Sequence, residues 1–194
     1  MLRNTRFGYG LVAIVFHWTM AALILVLIAL GLYMTSQPPT AASTFQLYQL
    51  HKSIGFVVLT LAVLRLVWRL LNRAPALPEG MPGIERLAAH LGHAGLYALM
   101  FALPVSGWLM VSASPWNIPT VVFDVLHVPH LPVPGILGDK QAAEATLKDV
   151  HEIAAWLLIA LLVAHVAAAL KHHFIARDTT LTRMVSTGPA KSAV

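Results

Sequence analysis

Four stretches of this chain are too long and too apolar to fold in water. No Asp, Glu, Lys or Arg occurs from Phe7 to His51, from Leu87 to Phe123, or from Ile153 to Leu170. A further stretch is uncharged from Ser53 to Leu64 and acquires charge only at Arg65 and Arg69. A helix needs about 20 apolar residues to cross a bilayer, and in lipid every backbone N–H and C=O must be satisfied by the segment itself. Spanning helices are therefore expected near 10–33, 49–71, 87–111 and 149–172, giving an all-α integral membrane four-helix bundle. A chain that is 58% hydrophobic and 11% charged fits no water-soluble domain. The whole reads as one domain over 1–185 with a long outer loop at 112–148 and a disordered cytoplasmic tail at 186–194.

Charge orients these helices, because Lys and Arg concentrate on the cytoplasmic side of short loops. With the N-terminus inside, ten cations fall on the cytoplasmic side: Arg3, Arg6, Arg65, Arg69, Arg73, Arg86, Lys171, Arg177, Arg183 and Lys191. Only Lys52, Lys140 and Lys148 fall outside, so both termini are expected in the cytoplasm. The pI near 9.9 follows from this topology and implies no nucleic-acid partner. The first stretch is too long for a signal-peptide core and lacks a small-x-small cleavage site, so it reads as a retained helix. The absence of cysteine excludes disulfides, thiolate metal sites and covalent c-type haem, which needs C-x-x-C-H.

Ionisable side chains inside a membrane are costly, so each histidine in a span is a candidate for function. His151 and His165 lie fourteen residues apart on the last span, roughly 21 Å along a helix and within about 40° of one face. His17 and His165 each sit about seven residues from a cytoplasmic helix end, roughly 10 Å deep. His51 and His151 both lie in the first turn of helices entering from outside. Depth therefore pairs His17 with His165 and His51 with His151. Small residues accompany them: Ala13, Ala21 and Ala22 around His17, Ala154 and Ala155 after His151, Ala168 and Ala169 after His165. Two opposed imidazoles between packed helices are what a six-coordinate haem iron needs. With both axial positions filled, the chemistry left is outer-sphere electron transfer. Zinc would gather three or four ligands at one depth.

Other residues carry two readings each. Gly55, one turn after His51, leaves room for a large ligand or simply for helix packing. Arg65 and Arg69 either snorkel to the cytoplasmic surface or pair with anionic groups, haem propionates or lipid phosphates. His90 and His93 have no partner at the outer end of their helix and read as structural. His127 and His130, in a Pro-rich loop that also bears Trp116, read as solvated. A loop of that length is either a functional cap or mobile.

The segments RFGYGLVAIVFHW, QLHKSIGFVVLTLAVLRLVWR, AHLGHAGLYALMFALPVSGWLM and AHVAAALKHHFIARDTTLTRM closely resemble the bacterial di-haem cytochrome b561 family, which includes superoxide oxidase. The resemblance spans nearly the whole chain and is weakest in 112–148. It implies a bacterial inner-membrane cytochrome with two haems b ligated by His17, His165, His51 and His151. It also implies a ubiquinone site at the cytoplasmic face, where His172 matches the first histidine of the family's HH pair. An interfacial histidine among basic residues is the other reading of His172. Three functions follow: an electron carrier between the quinone pool and a periplasmic partner, a superoxide:ubiquinone oxidoreductase, or an anchor docking a redox protein through the outer loop. Outside, three lysines against Asp124, Asp139, Glu144, Asp149 and Glu152 leave a negative balance that opposes steering of superoxide. Lys52, beside His51, supplies a local field of the opposite sign.

Overall fold

The computed structural model describes residues 1–78 and 80–187. Four helices, α1 (Leu11–Thr35), α2 (Ala42–Leu71), α3 (Gly83–Ala113) and α4 (Lys140–Phe174), are each long and apolar enough to cross a membrane. The architecture is all-α and four-spanning, with one short hairpin. Within the spanning windows only 6–17% of residues are buried by protein. Such surfaces require lipid, because contiguous apolar area of this extent does not persist in water.

The helix ends lie further out than hydropathy placed them. α2 begins at Ala42, not near 49, because the break is set by Pro38-Pro39 and the polar residues after them are compatible with helix. α4 begins at Lys140, not near 149. Asp139 caps it, its Oδ1 accepting the Ala142 amide at 2.9 Å. α3 continues through Pro104. Of the tail expected at 186–194, residues 188–194 lie outside the described residues.

The chain divides into two compact units. The first comprises Met1–Ala21, Leu61–Ala98 and Leu158–Val194. Here the N-terminal entry folds back on itself, with the Gly10 amide donating to Asn4 Oδ1 at 2.9 Å and the Leu11 amide to Met1 O at 3.0 Å. A Cβ at Gly10 would collide with the backbone of Leu2 and Arg3, so that close approach requires glycine. Two long-range hydrogen bonds help to tie down the segment after α4. Trp18 Nε1 donates to Met184 O, and Arg183 Nη1 donates to Ala76 O in the α2–α3 connection, both at 2.7 Å.

The second unit comprises Ala22–Thr60 and Leu99–Leu157. Its connection between α3 and α4 is a folded cap. Strands β1 (Thr120–Val122) and β2 (Leu126–Val128) pair antiparallel across a tight turn in which Phe123 and Asp124 adopt φ of 48° and 58°. Positive φ at both central residues matches the right-handed twist of a hairpin but is costly for a phenylalanine. The Phe123 amide offsets part of that cost by donating to the buried Ser53 Oγ on α2 at 3.0 Å. Trp108 Nε1 donates to Pro129 O and the Leu131 amide to Ser112 Oγ, both at 2.9 Å, which joins the cap to α3. Ala113, Ala143 and Leu147 bury each other beneath it. His127 lies in β2, and His130 Nε2 donates to Ile118 O at 3.3 Å, so His130 serves the loop.

Ser53→Ala removes the acceptor that holds the hairpin turn. A neutral hydrogen bond contributes about 1 kcal/mol, so amide exchange at Phe123 should quicken roughly fivefold in hydrogen-exchange measurements, with the helices unaffected.

Candidate functional site: facing histidine pairs

In the second unit, His51 on α2 and His151 on α4 face each other with ring centroids 6.4 Å apart and planes at 73°. Each ring lies against a glycine of a third helix. A Cβ on Gly31 of α1 would meet His51 Cε1 at 3.5 Å, and a Cβ on Gly107 of α3 would meet His151 Cε1 at 3.2 Å. His151 Nδ1 also lies 3.0 Å from Oγ of the buried Ser106, whose hydroxyl is 3.0 Å from Leu103 O. His51 Nδ1 is buried without a hydrogen-bond partner among the described residues. A Cβ at Gly55 would meet nothing within 4 Å, so this face of α2 is open one turn beyond His51. Lys52 Nζ reaches Pro119 O of the cap at 3.5 Å, as does Gln49 Nε2.

In the first unit, His17 on α1 and His165 on α4 face each other at 6.2 Å, with planes at 50°. His93 on α3 joins them, its ring 5.6 Å from that of His165. Sequence reasoning set His93 aside, although counting from a helix start near 87 gives it about the depth of His17. Among the described residues, no three histidine, aspartate or glutamate side chains gather where they could hold one metal ion. Each site offers opposed imidazoles, not a tetrahedral set.

Cations surround this pair on one side. Arg65 Nη2 lies 3.4 Å from His17 Nδ1, and Arg65 Nε donates to Tyr97 OH at 3.2 Å. The Arg65 and Arg69 guanidiniums sit 5.7 and 5.1 Å from the Tyr97 ring centre, so one aromatic face organises both charges. Neither arginine takes part in a carboxylate ion pair among the described residues. Burial raises the Tyr9 phenol above its ordinary value against the opposing pull of Arg69 and Arg65, so it is neutral at physiological pH. Tyr97 and Tyr9 escaped sequence reasoning because nothing in their spacing marks them.

His172, near the end of α4, donates from Nδ1 to Asp178 Oδ2 at 2.6 Å. Asp178 Oδ1 accepts the Thr180 amide at 2.8 Å, the local turn that an Asp-x-Thr sequence favours. Lys171 pairs with Glu85 of α3 at 2.8 Å, and Glu85 Oε2 stands 3.8 Å from His172 Nε2. Burial works to raise the Asp178 carboxyl, but the Thr180 and His172 hydrogen bonds outweigh it and hold the group below its ordinary value of 3.8.

A profile of the prokaryotic cytochrome b561 family matches residues 8–187. The chain belongs to this family. It is 37% identical over 183 residues to cytochrome b561 homolog 2 of Escherichia coli K12, covering 94% of this chain and 93% of that protein. It is 30% identical over 148 residues to cytochrome b561 homolog 1 of the same organism, covering 76% and 80%. It is also 30% identical over 183 residues to a Yersinia pestis protein named probable superoxide oxidase CybB, covering 91% and 95%. This b561 protein is accordingly a multi-pass protein of the bacterial inner membrane, with the haem and electron-transport character of its family.

The lowered Asp178 value fixes the sign of one pH effect. Its contribution to docking the segment after α4 is complete above 3.8, the ordinary value, and is lost as pH falls below that through the folded value. The protection of residues 175–187 from hydrogen exchange, taken relative to the intrinsic rate at each pH, should therefore fall in acid for the native protein, while Asp178→Asn shows the low protection throughout.

Proposed function

We propose that the protein holds two haems b, one between His17 and His165 and one between His51 and His151, and carries electrons between the quinone pool and a partner on the periplasmic side. The observation that carries this reading is the spacing of the facing rings, 6.2 and 6.4 Å. Two imidazoles bound to opposite sides of one metal, each through a bond of about 2 Å, have ring centres about 6 Å apart. Gly107 supports it as well, since a Cβ there would stand 3.2 Å from His151 Cε1 and glycine lets that imidazole edge approach α3 closely. When bound, haem iron with two imidazole ligands supplies reversible one-electron transfer and no open coordination position.

The chain's own residues divide the remaining work. Arg65 and Arg69, gathered on Tyr97 without a carboxylate of their own, are the cations for haem propionates at the His17/His165 site. Gly55 leaves the face of α2 beside His51 clear for a macrocycle. His172 takes the quinone role: Asp178 holds its Nδ1 proton and fixes the ring, leaving Nε2, 3.8 Å from Glu85 Oε2, as the nitrogen for a quinone oxygen, while the protons that quinone reduction consumes come from cytoplasmic water. The cation balance supports an orientation with the termini in the cytoplasm and the hairpin-bearing cap in the periplasm.

A second reading, oxidation of superoxide with ubiquinone as acceptor, is favoured by Lys52. It adjoins His51, its Nζ donates to the Pro119 carbonyl at 3.5 Å, and it forms no ion pair among the described residues. An uncompensated cation there attracts a small anion despite the negative balance of the outer side.

Reduced-minus-oxidised spectra of purified variants test the ligand sets. His51→Ala and His151→Ala should each remove one haem and spare the other, while His17→Ala and His165→Ala remove the complementary one; equal loss of both from any variant contradicts the pairing. Rapid mixing with superoxide separates the two functions, since absence of haem reduction leaves the carrier. His172→Ala should slow quinone reduction at least tenfold, a loss of about 1.4 kcal/mol, with both spectra unchanged.

A further inference from the structure

Helix α3 supplies none of the four proposed ligands, yet it makes the most specific contacts with one of them. Ser106 Oγ lies 3.0 Å from Leu103 O and 3.0 Å from His151 Nδ1. A serine hydroxyl has one proton. It is donated to the Leu103 carbonyl, which can only accept, so the lone pairs of Oγ face His151. His151 therefore carries its proton on Nδ1 and shares it between Ser106 Oγ and the Leu103 carbonyl, to which it is also hydrogen-bonded, which leaves the Nε2 lone pair free for a metal. Ser106 is 7% exposed, so no bulk water competes for this bond. The adjoining Gly107 sets the ring's position, since a Cβ there would stand 3.2 Å from Cε1 and 3.4 Å from Nδ1. Among the described residues the partner ring has no such support, because His51 Nδ1 is buried without a hydrogen bond. The two imidazoles of this site are thus chemically unequal.

We propose that Ser106 and Gly107 of α3 are positioning residues that fix the tautomer, basicity and ring plane of His151, and through it lower the reduction potential of the His51/His151 haem. The inference rests on the ligand assignment above. An acceptor on the far nitrogen of a ligating imidazole makes it a stronger electron donor to the metal. A stronger donor stabilises the oxidised ion, so the site gives up its electron more readily.

The test is a redox titration of the haem-loaded protein, with the His17/His165 haem as internal reference and low-spin ferric EPR to report the ring planes. Ser106→Ala should raise the reduced-to-oxidised ratio of the His51/His151 haem roughly fivefold at a fixed ambient potential, the equivalent of one neutral hydrogen bond. The reference haem should not move, and Ser106→Thr, which keeps the hydroxyl, should restore the native value. Gly107→Ala, a second variant, should displace the ring and alter the EPR signal of the same haem alone. A silent Ser106→Ala, a shift shared equally by both haems, or failure of threonine to restore the value would overturn the inference. Failure of the ligand assignment is distinguishable: His151→Ala would then retain both haems, whereas loss of one haem in His151→Ala with a silent Ser106→Ala rejects only the role of α3.

Discussion

Everything in this protein follows from holding an imidazole inside a membrane. Lipid offers no hydrogen bonds, so the backbone must be helical where it crosses, and every polar side chain on those helices needs a partner within the protein. The chain meets the first demand with four long helices. It meets part of the second by setting imidazoles against each other and against the few hydroxyls of neighbouring helices, while His51 Nδ1 stays without a hydrogen bond among the described residues. His151, Ser106 and Gly107 show the economy of this: one serine satisfies the Leu103 carbonyl and a histidine nitrogen together, and one missing methyl group lets the ring come close.

The cap between α3 and α4 answers to the same constraint from the other direction. A histidine in the first turns of a span stands near water, and its surroundings must be built from whatever the adjoining loop provides. Here Ser53, two residues after His51, accepts the Phe123 amide, and Gln49 and Lys52 both reach Pro119 O. The turn of α2 that carries His51 is therefore the turn that grips the cap. Any partner approaching His51 from that side meets folded chain, with Lys52 the next residue along α2.

At the chain termini a carboxylate takes over the role of the serine. Asp178 holds His172 through Nδ1 while the Thr180 amide holds Asp178, and Trp18 and Arg183 anchor the same segment. His172 is positioned by residues that follow α4, so a reading confined to the span would miss what orients it.

Helix number and type, membrane residence and the matching of His17 with His165 and of His51 with His151 were legible in the sequence alone, because helix rise is constant and charge is excluded from lipid. Helix ends were less legible: Ala42 and Lys140 open their helices beyond the apolar stretches, where hydropathy is blind and capping by Asp139 decides. Only the tertiary structure brought His93 beside His165, gathered Arg65 and Arg69 on Tyr97, and set Ser106 and Gly107 against His151. Those contacts join residues far apart in the chain. They depend on how each helix is rotated about its axis, and helices α1 to α4, apolar on nearly every face, carry no sequence pattern that states it.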